Sequence, residues 1–136
     1  MQISDIYFRI PLHEHMEFVD ILETLPTNWS LCFVETQGSE KEISGKAINS
    51  VPYYEADFTG PTLMVFGREV GGLSDQLKNQ ALERGSHKIV STYIPTIPQL
   101  DSINVAMAAT VLIFEMVGKF LYFYKFYCRQ LTCTYH

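Results

Sequence analysis

The stretch that most constrains this chain is Pro61 to Asp75, PTLMVFGREVGGLSD. Four apolar residues, Leu63 to Phe66, climb into Gly67, and then come Glu69, Gly71, Gly72 and Leu73. A short apolar run bounded by turn signals reads as a buried strand. The glycines suit positive φ or close approach of backbone. Ser74 is placed to cap a following helix, with Asp75 in its first turn. Open α/β sheets bind ligands at such strand-to-helix turns, at the carboxyl ends of parallel strands. The run has neither the G-x-G-x-x-G spacing nor the G-K-[ST] ending of a phosphate-cradling loop. A glycine turn that merely closes a tight corner fits this stretch equally well.

A second run, YIPTIPQLDSINVAMAATVLIFEM from Tyr93 to Met116, holds a short strand, a proline-containing loop, and Asp101-Ser102-Ile103-Asn104 leading into a long apolar helix. Together the two runs resemble motifs 2 and 3 of the SPOUT RNA methyltransferases, in the TrmH/SpoU branch that methylates ribose 2′-hydroxyls. The family's second motif reads roughly G-N-E-G-x-G-L, and Gly67, Glu69, Gly72 and Leu73 fall in register with it. The third reads roughly I-P-M-x-G-x-x-x-S-L-N-V-S-V-A. Ile94, Pro95, Ser102, Asn104, Val105 and Ala108 match it, with Ile103 in place of the leucine. The resemblance runs from Ile6 to Phe120.

That resemblance implies an α/β-knot sandwich with a mostly parallel sheet and a C-terminal trefoil knot. The knot rests on the resemblance alone, because chains rarely thread themselves. S-adenosylmethionine is implied as cofactor, tRNA or rRNA as substrate, and a homodimer as the assembly. Gly67, Gly72, Leu73, Ile94, Ile103 and Asn104 are implied as cofactor-binding. Glu69, Ser102 and Asn104 are implied as catalytic: Glu69 orients the loops, and the other two hydrogen-bond within the site. The chain departs from the family in one respect. Motif 1, roughly N-P-x-N-x-G followed by an arginine, should precede FRIPL (Phe8 to Leu12), and the seven residues before Phe8 do not form it. Arg9 and Arg68 are the nearby candidates to replace that arginine. Arg68 stands at the usual asparagine of motif 2, and Pro98 at the usual glycine of motif 3. The expectation is an N-terminally truncated domain that transfers no methyl group by itself. The alternative is a non-catalytic SPOUT-like binding protein that retains part of the cofactor pocket.

The remaining sequence sets the frame. At 136 residues, the chain has the length of one domain. A net charge of −5 argues against a broad basic nucleic-acid surface while leaving room for a local patch. Cys32, Cys128 and Cys133 form no metal spacing and no even disulfide framework, which points to free thiols in a reducing cytosol. The N-terminus has no signal-peptide pattern; an organellar location stays open if a targeting segment lies upstream. His13 and His15 flank Glu14, but two neighbouring ligands without a third favour a solvated loop over a metal site.

Along the chain, FRIPL reads as a strand. Phe18, Ile21, Leu22 and Leu25 give one face of a helix over 17–25, stopped by Pro26. Trp29 to Thr36 reads as a buried strand, and both 37–45 and 47–61 as irregular connections. Tyr53 and Tyr54 are expected to pack on the sheet rather than stack on a base. A helix over 74–84 turns Leu77, Ala81 and Leu82 inward and ends at Gly85. A strand over 87–95 and a helix over 103–120 complete a 1–120 domain, followed by an aromatic tail over 121–136 with no clean period. The apolar run Ile103 to Phe114 is twelve residues long, short of the about 20 that a membrane span needs. No membrane association is therefore expected.

Overall fold

A computed structural model describes residues 11–37, 42–43, 46–68, 71–99 and 103–133, without the side chains of 42–43, 46–47 and 123–133. Helix α1 (Phe18–Thr24) buries Leu22 and packs Phe18 and Leu25 against the core. Pro26 excludes the helical conformation from Leu25, whose ψ of 124° is extended, and the helix stops there. Strand β1 (Ser30–Glu35) follows, with Leu31, Cys32 and Phe33 almost completely buried. Burial on both faces explains its near-continuous apolar character.

After β1 come a two-stranded antiparallel pair, β2 (Glu42–Ile43) and β3 (Lys46–Ala47), then β4 (Ser50–Pro52) and a single 3-10 turn, Tyr53–Glu55. Strand β5 (Thr62–Phe66) leads through the glycine turn into helix α2 (Asp75–Arg84). Strand β6 (Lys88–Tyr93) leads into helix α3 (Val105–Cys133). The main sheet has the order β4-β6-β1-β5, and every pairing in it is parallel. This is the mixed α/β architecture with a parallel sheet that the strand–helix alternation predicts.

Side chains alternate across the sheet with the period of two that a pleated strand imposes. Leu31, Phe33, Leu63, Val65 and Ile89 join Leu22, Leu73 and Ala81 under α1 and α2. Cys32, Val34, Met64, Phe66 and Val90 join Ala56, Phe58, Leu112 and Met116 under α3. Burial pushes the Cys32 thiol up to about 12, so this cysteine is packing and not a nucleophile at neutral pH. Ser74 caps α2, its hydroxyl accepting from the Leu77 amide at 3.3 Å, and Gly85 closes the helix in the left-handed region at φ 59°.

The structure departs from the sequence reading in three places. The stretch read as irregular contains the β2–β3 pair and a sheet strand, β4. That strand is three residues long and ends in a proline, which suits an edge position and leaves almost no periodic signal. Helix α3 runs to Cys133 rather than stopping at Phe120. No proline or glycine follows Gly118 in that region, so nothing in the sequence stops it. The third departure concerns the membrane. By length and composition, Val105–Tyr122 is long and apolar enough to cross one. Its inner face is nevertheless docked on the sheet through Leu112 and Met116. The Lys119 ammonium is also held by the Tyr54 and Ala56 carbonyls, each at 2.8 Å. The FRIPL strand lies outside the described residues.

One surface contact titrates at acid pH. The Asp57 carboxylate accepts from Lys88 at 2.7 Å and from the Thr59 hydroxyl and amide, and these bonds hold it well below the usual carboxylate range. A lowered folded-state value means that its stabilisation is complete above the unfolded value of about 4 and is lost as pH falls below it. Both side chains are about half exposed, and solvent screening keeps the effect small. Asp57→Asn is therefore expected to flatten the loss of stability below about pH 4, as read from urea midpoints. Superimposable pH profiles for the two proteins would contradict this.

Candidate functional site

The site is set by strand register. Val34 pairs with Phe66 on one side and Thr92 on the other, and Glu35 pairs with Tyr93. Gly67 and Ile94, each one residue beyond its strand, therefore flank the carboxyl end of β1. This edge is where a parallel sheet offers loops to a ligand.

The glycine turn is built from main chain. Gly71 and Gly72 take φ of 93° and 63°, the left-handed region that side chains disfavour. Arg68 and Gly72 pair across the turn, the Arg68 amide donating to the Gly72 carbonyl at 3.2 Å. Gly67 is required for a different reason. A Cβ there would lie 2.2 Å from the Gly72 carbonyl carbon and 2.4 Å from the Leu73 nitrogen. The glycine thus makes room for the turn's own backbone. Leu73 is buried in the core with Leu22 and Phe33 and anchors the turn from below.

Asn104 opens α3. Its Oδ1 accepts from the Ala106 amide at 2.9 Å and its carbonyl from the Ala108 amide at 2.9 Å, the arrangement of a helix cap. Its side-chain oxygen is thereby occupied, leaving the amide NH2 to donate outward. Ile94 and Ile103 are half-buried, and Gly71 and Gly72 are exposed with open space where a Cβ would stand. Uncovered main chain and partly exposed branched aliphatic residues are the kinds of group that take an adenine ring and its ribose. The residues present therefore fit the cofactor that the motifs imply. Glu69, Ser102 and Arg9 lie outside the described residues.

The sequence reading missed two features at this edge. The first is an ion pair between Lys78 of α2 and Glu35 at the end of β1, with side chains only 7% and 10% exposed. A legible signal existed: Lys78 sits among Leu77, Ala81 and Leu82, the inward stripe of that helix, and a lysine there demands a partner. The second ties the loop after β6 to the segment after β1, the Thr96 amide donating to Gln37 Oε1 at 3.0 Å. Arg68 is exposed beside the turn. Tyr53 packs against the α3-side core and meets Tyr54 edge-on at 5.3 Å. Tyr54 is exposed.

A cavity of about 450 Å³ lies elsewhere, lined among others by Phe58, Thr59, Gly118, Lys119 and Tyr122. Lys119 is about 22 Å along α3 from Asn104 at the usual helical rise. The charged groups of the cavity are engaged within the protein: Asp57 with Lys88 and Thr59, and Lys119 with two carbonyls and Glu115.

Gly67→Ala forces the turn backbone to move, because the atoms in the way are main chain. It is expected to lower the unfolding free energy by about 1–3 kcal/mol or more, the range of overpacking in a fitted interior. Chemical denaturation checks this, and a change below about 0.5 kcal/mol, typical of an inert surface site, would show that the turn opens freely.

Comparison with protein families matches residues 4–114 to the SpoU rRNA Methylase family. An uncharacterized tRNA/rRNA methyltransferase of Synechocystis sp. is 40% identical over 62 residues, 46% of this chain and 20% of that protein. The mitochondrial rRNA methyltransferase 3 of Mus musculus is 39% identical over 66 residues, 48% of this chain and 15% of that protein. Its Homo sapiens counterpart is 35% identical over 83 residues, 60% and 18% respectively. The chain thus covers a fifth or less of the length of these relatives.

Proposed function

Because the chain belongs to the SpoU rRNA methylase family, we propose that its glycine turn and the neighbouring loops bind S-adenosylmethionine for methyl transfer to a ribose 2′-hydroxyl of rRNA or tRNA. The observation that carries this reading is the joint position of Gly67 and Ile94 beside the end of β1. Bound there, the cofactor supplies an electrophilic methyl group. The chain's own contribution is to bind and orient. Exposed main chain at Gly71 and Gly72 lies against the ligand, and Ile94 and Ile103 flank its ring. The free NH2 of Asn104 donates into the site, where Ser102 adds a hydroxyl and Glu69 orients the loops. Holding both reactants in line is worth several orders of magnitude by itself.

Raising the reactivity of the ribose hydroxyl is a separate task, worth about 10²–10⁴ in rate. The family assigns it to the motif 1 arginine; here Arg68, exposed at the turn, and Arg9 are the candidates. A trefoil knot around the cofactor loops belongs to this proposal. Two relatives are named mitochondrial, and an organelle matrix is reducing like the cytosol, so free thiols suit either compartment.

The test is tritiated methyl incorporation into rRNA and tRNA, followed by nucleoside mass analysis. Two proteins are compared: this chain alone, and this chain joined to a segment carrying N-P-x-N-x-G. Label is expected in 2′-O-methylnucleosides, and only with the joined protein. Label in base-methylated nucleosides would overturn the proposed reaction, and robust transfer by the chain alone would overturn the need for motif 1.

A homodimer through α3 completes the proposal. Met107, Val111, Phe114 and Leu121 leave one side of that helix apolar and exposed, and a helix apolar on all sides belongs in an interior or against a partner. Light scattering at micromolar concentration is expected to give twice the 15.6 kDa of one chain, with Phe114→Glu restoring the single mass. A sharp monomer peak for the parent protein would contradict it.

A further inference from the structure

The Lys78–Glu35 pair is the one buried ion pair at the sheet's carboxyl edge among the described residues. Stability does not account for it. Removing two charges from water costs about what their attraction returns, and an apolar pair of similar volume commonly serves as well or better. Position gives a better account. Glu35 is the last residue of β1, level with Tyr93 and one residue beyond the Val34–Phe66 pairing. It therefore stands between the exits that lead to Gly67 and to Ile94. Lys78 lies one turn into α2, its amide bonded to the Ser74 carbonyl at 3.3 Å, and Ser74 directly follows Gly72 and Leu73.

At the far end of α2, Arg84 bonds Glu23 of α1 at 2.7 Å; toward the sheet, Leu77 and Ala81 make apolar contacts. Such contacts are non-directional and resist rotation or sliding of the helix poorly. A charge-assisted bond has a fixed direction. We infer that Lys78 and Glu35 form a positioning pair, which fixes the start of α2 and with it the Gly67–Leu73 turn against the end of β1, so that cofactor binding depends on the pair more than folding does. The cofactor part of this inference rests on the function proposed above; the positioning part does not.

The experiment compares the parent protein with Lys78→Met/Glu35→Leu and with Lys78→Arg. Three quantities are read: urea midpoint, hydrogen exchange of the Arg68 amide relative to the β1 amides, and S-adenosylmethionine affinity. The Arg68 amide is informative because it bonds the Gly72 carbonyl and so reports closure of the turn. The apolar double variant is expected to keep the parent midpoint and β1 protection, while its Arg68 amide exchanges at least about ten times faster, as in a local opening. Its S-adenosylmethionine affinity is expected to fall below the parent's, in proportion to the fraction of chains whose turn stays closed, and Lys78→Arg, which keeps the charge, to retain both properties.

Unchanged Arg68 protection in the double variant would overturn the inference. So would protection lost only in step with the β1 amides, which marks a purely structural role. If the double variant does not fold, Lys78→Met/Glu35→Gln is read the same way, since it removes both charges and the bond between them while keeping a polar side chain at the sheet edge. If the parent protein binds no S-adenosylmethionine, the proposed function fails, while Arg68 exchange still decides the positioning role.

Discussion

The structure depends on the parallel pairing of β1 with both β5 and β6. That pairing puts β1 in the middle of the sheet, where elements packed on the two faces bury Leu31, Cys32 and Phe33 and so supply much of the core. It also brings three chain segments to one edge. Parallel strands all exit in the same direction, so the turn after Phe66 and the loop after Tyr93 emerge side by side with the end of β1 between them. The candidate site is in this sense a consequence of sheet topology. Shifting β5 by one residue would turn its core-facing side chains to the opposite face and move Gly67 off the level of Glu35.

Within that frame the glycine turn is shaped from inside. Gly67 has no room for a side chain because Gly72 and Leu73 fold back over it, and Leu73 is pinned in the core. The turn thus has fixed supports below, while Gly71 and Gly72 above remain uncovered main chain. A rigid base with an open upper surface is what a bound nucleoside-like group requires, since little ordering is left to do on binding. Asn104 serves the same end at the start of α3. By capping that helix it fixes where Ile103 stands, and its side-chain NH2 is left exposed.

Much of this was legible in the sequence where a local rule and the fold agreed. Ser74 as cap, Gly85 as helix stop, Pro26 as breaker and the apolar β1 each follow from one physical requirement that the tertiary structure leaves in force. Strand β4 was not legible, because three residues ending in proline carry no alternation and its pairing with β6 is entirely non-local. The end of α3 was misplaced because aromatic residues hid its period while nothing broke the helix. Gly67 was legible as a glycine suited to close approach of backbone, but not that the approaching atoms belong to its own loop. Lys78 was legible in principle, as a charge within an apolar stripe, but its partner forty-three positions earlier becomes apparent only once the sheet is assembled.

The central claim is that this edge of the sheet holds the cofactor. Nitrogen-15 and methyl chemical-shift mapping of the chain during titration with S-adenosylhomocysteine, the demethylated product, tests it most directly. The account predicts saturable shifts concentrated at Arg68, Gly71, Gly72, Ile94, Ile103 and the Asn104 side-chain amide, with the β2–β3 pair and the 56–59 cavity unaffected. Saturable binding that instead shifts Phe58, Thr59, Gly118 and Lys119, or no binding by the folded chain, would contradict it.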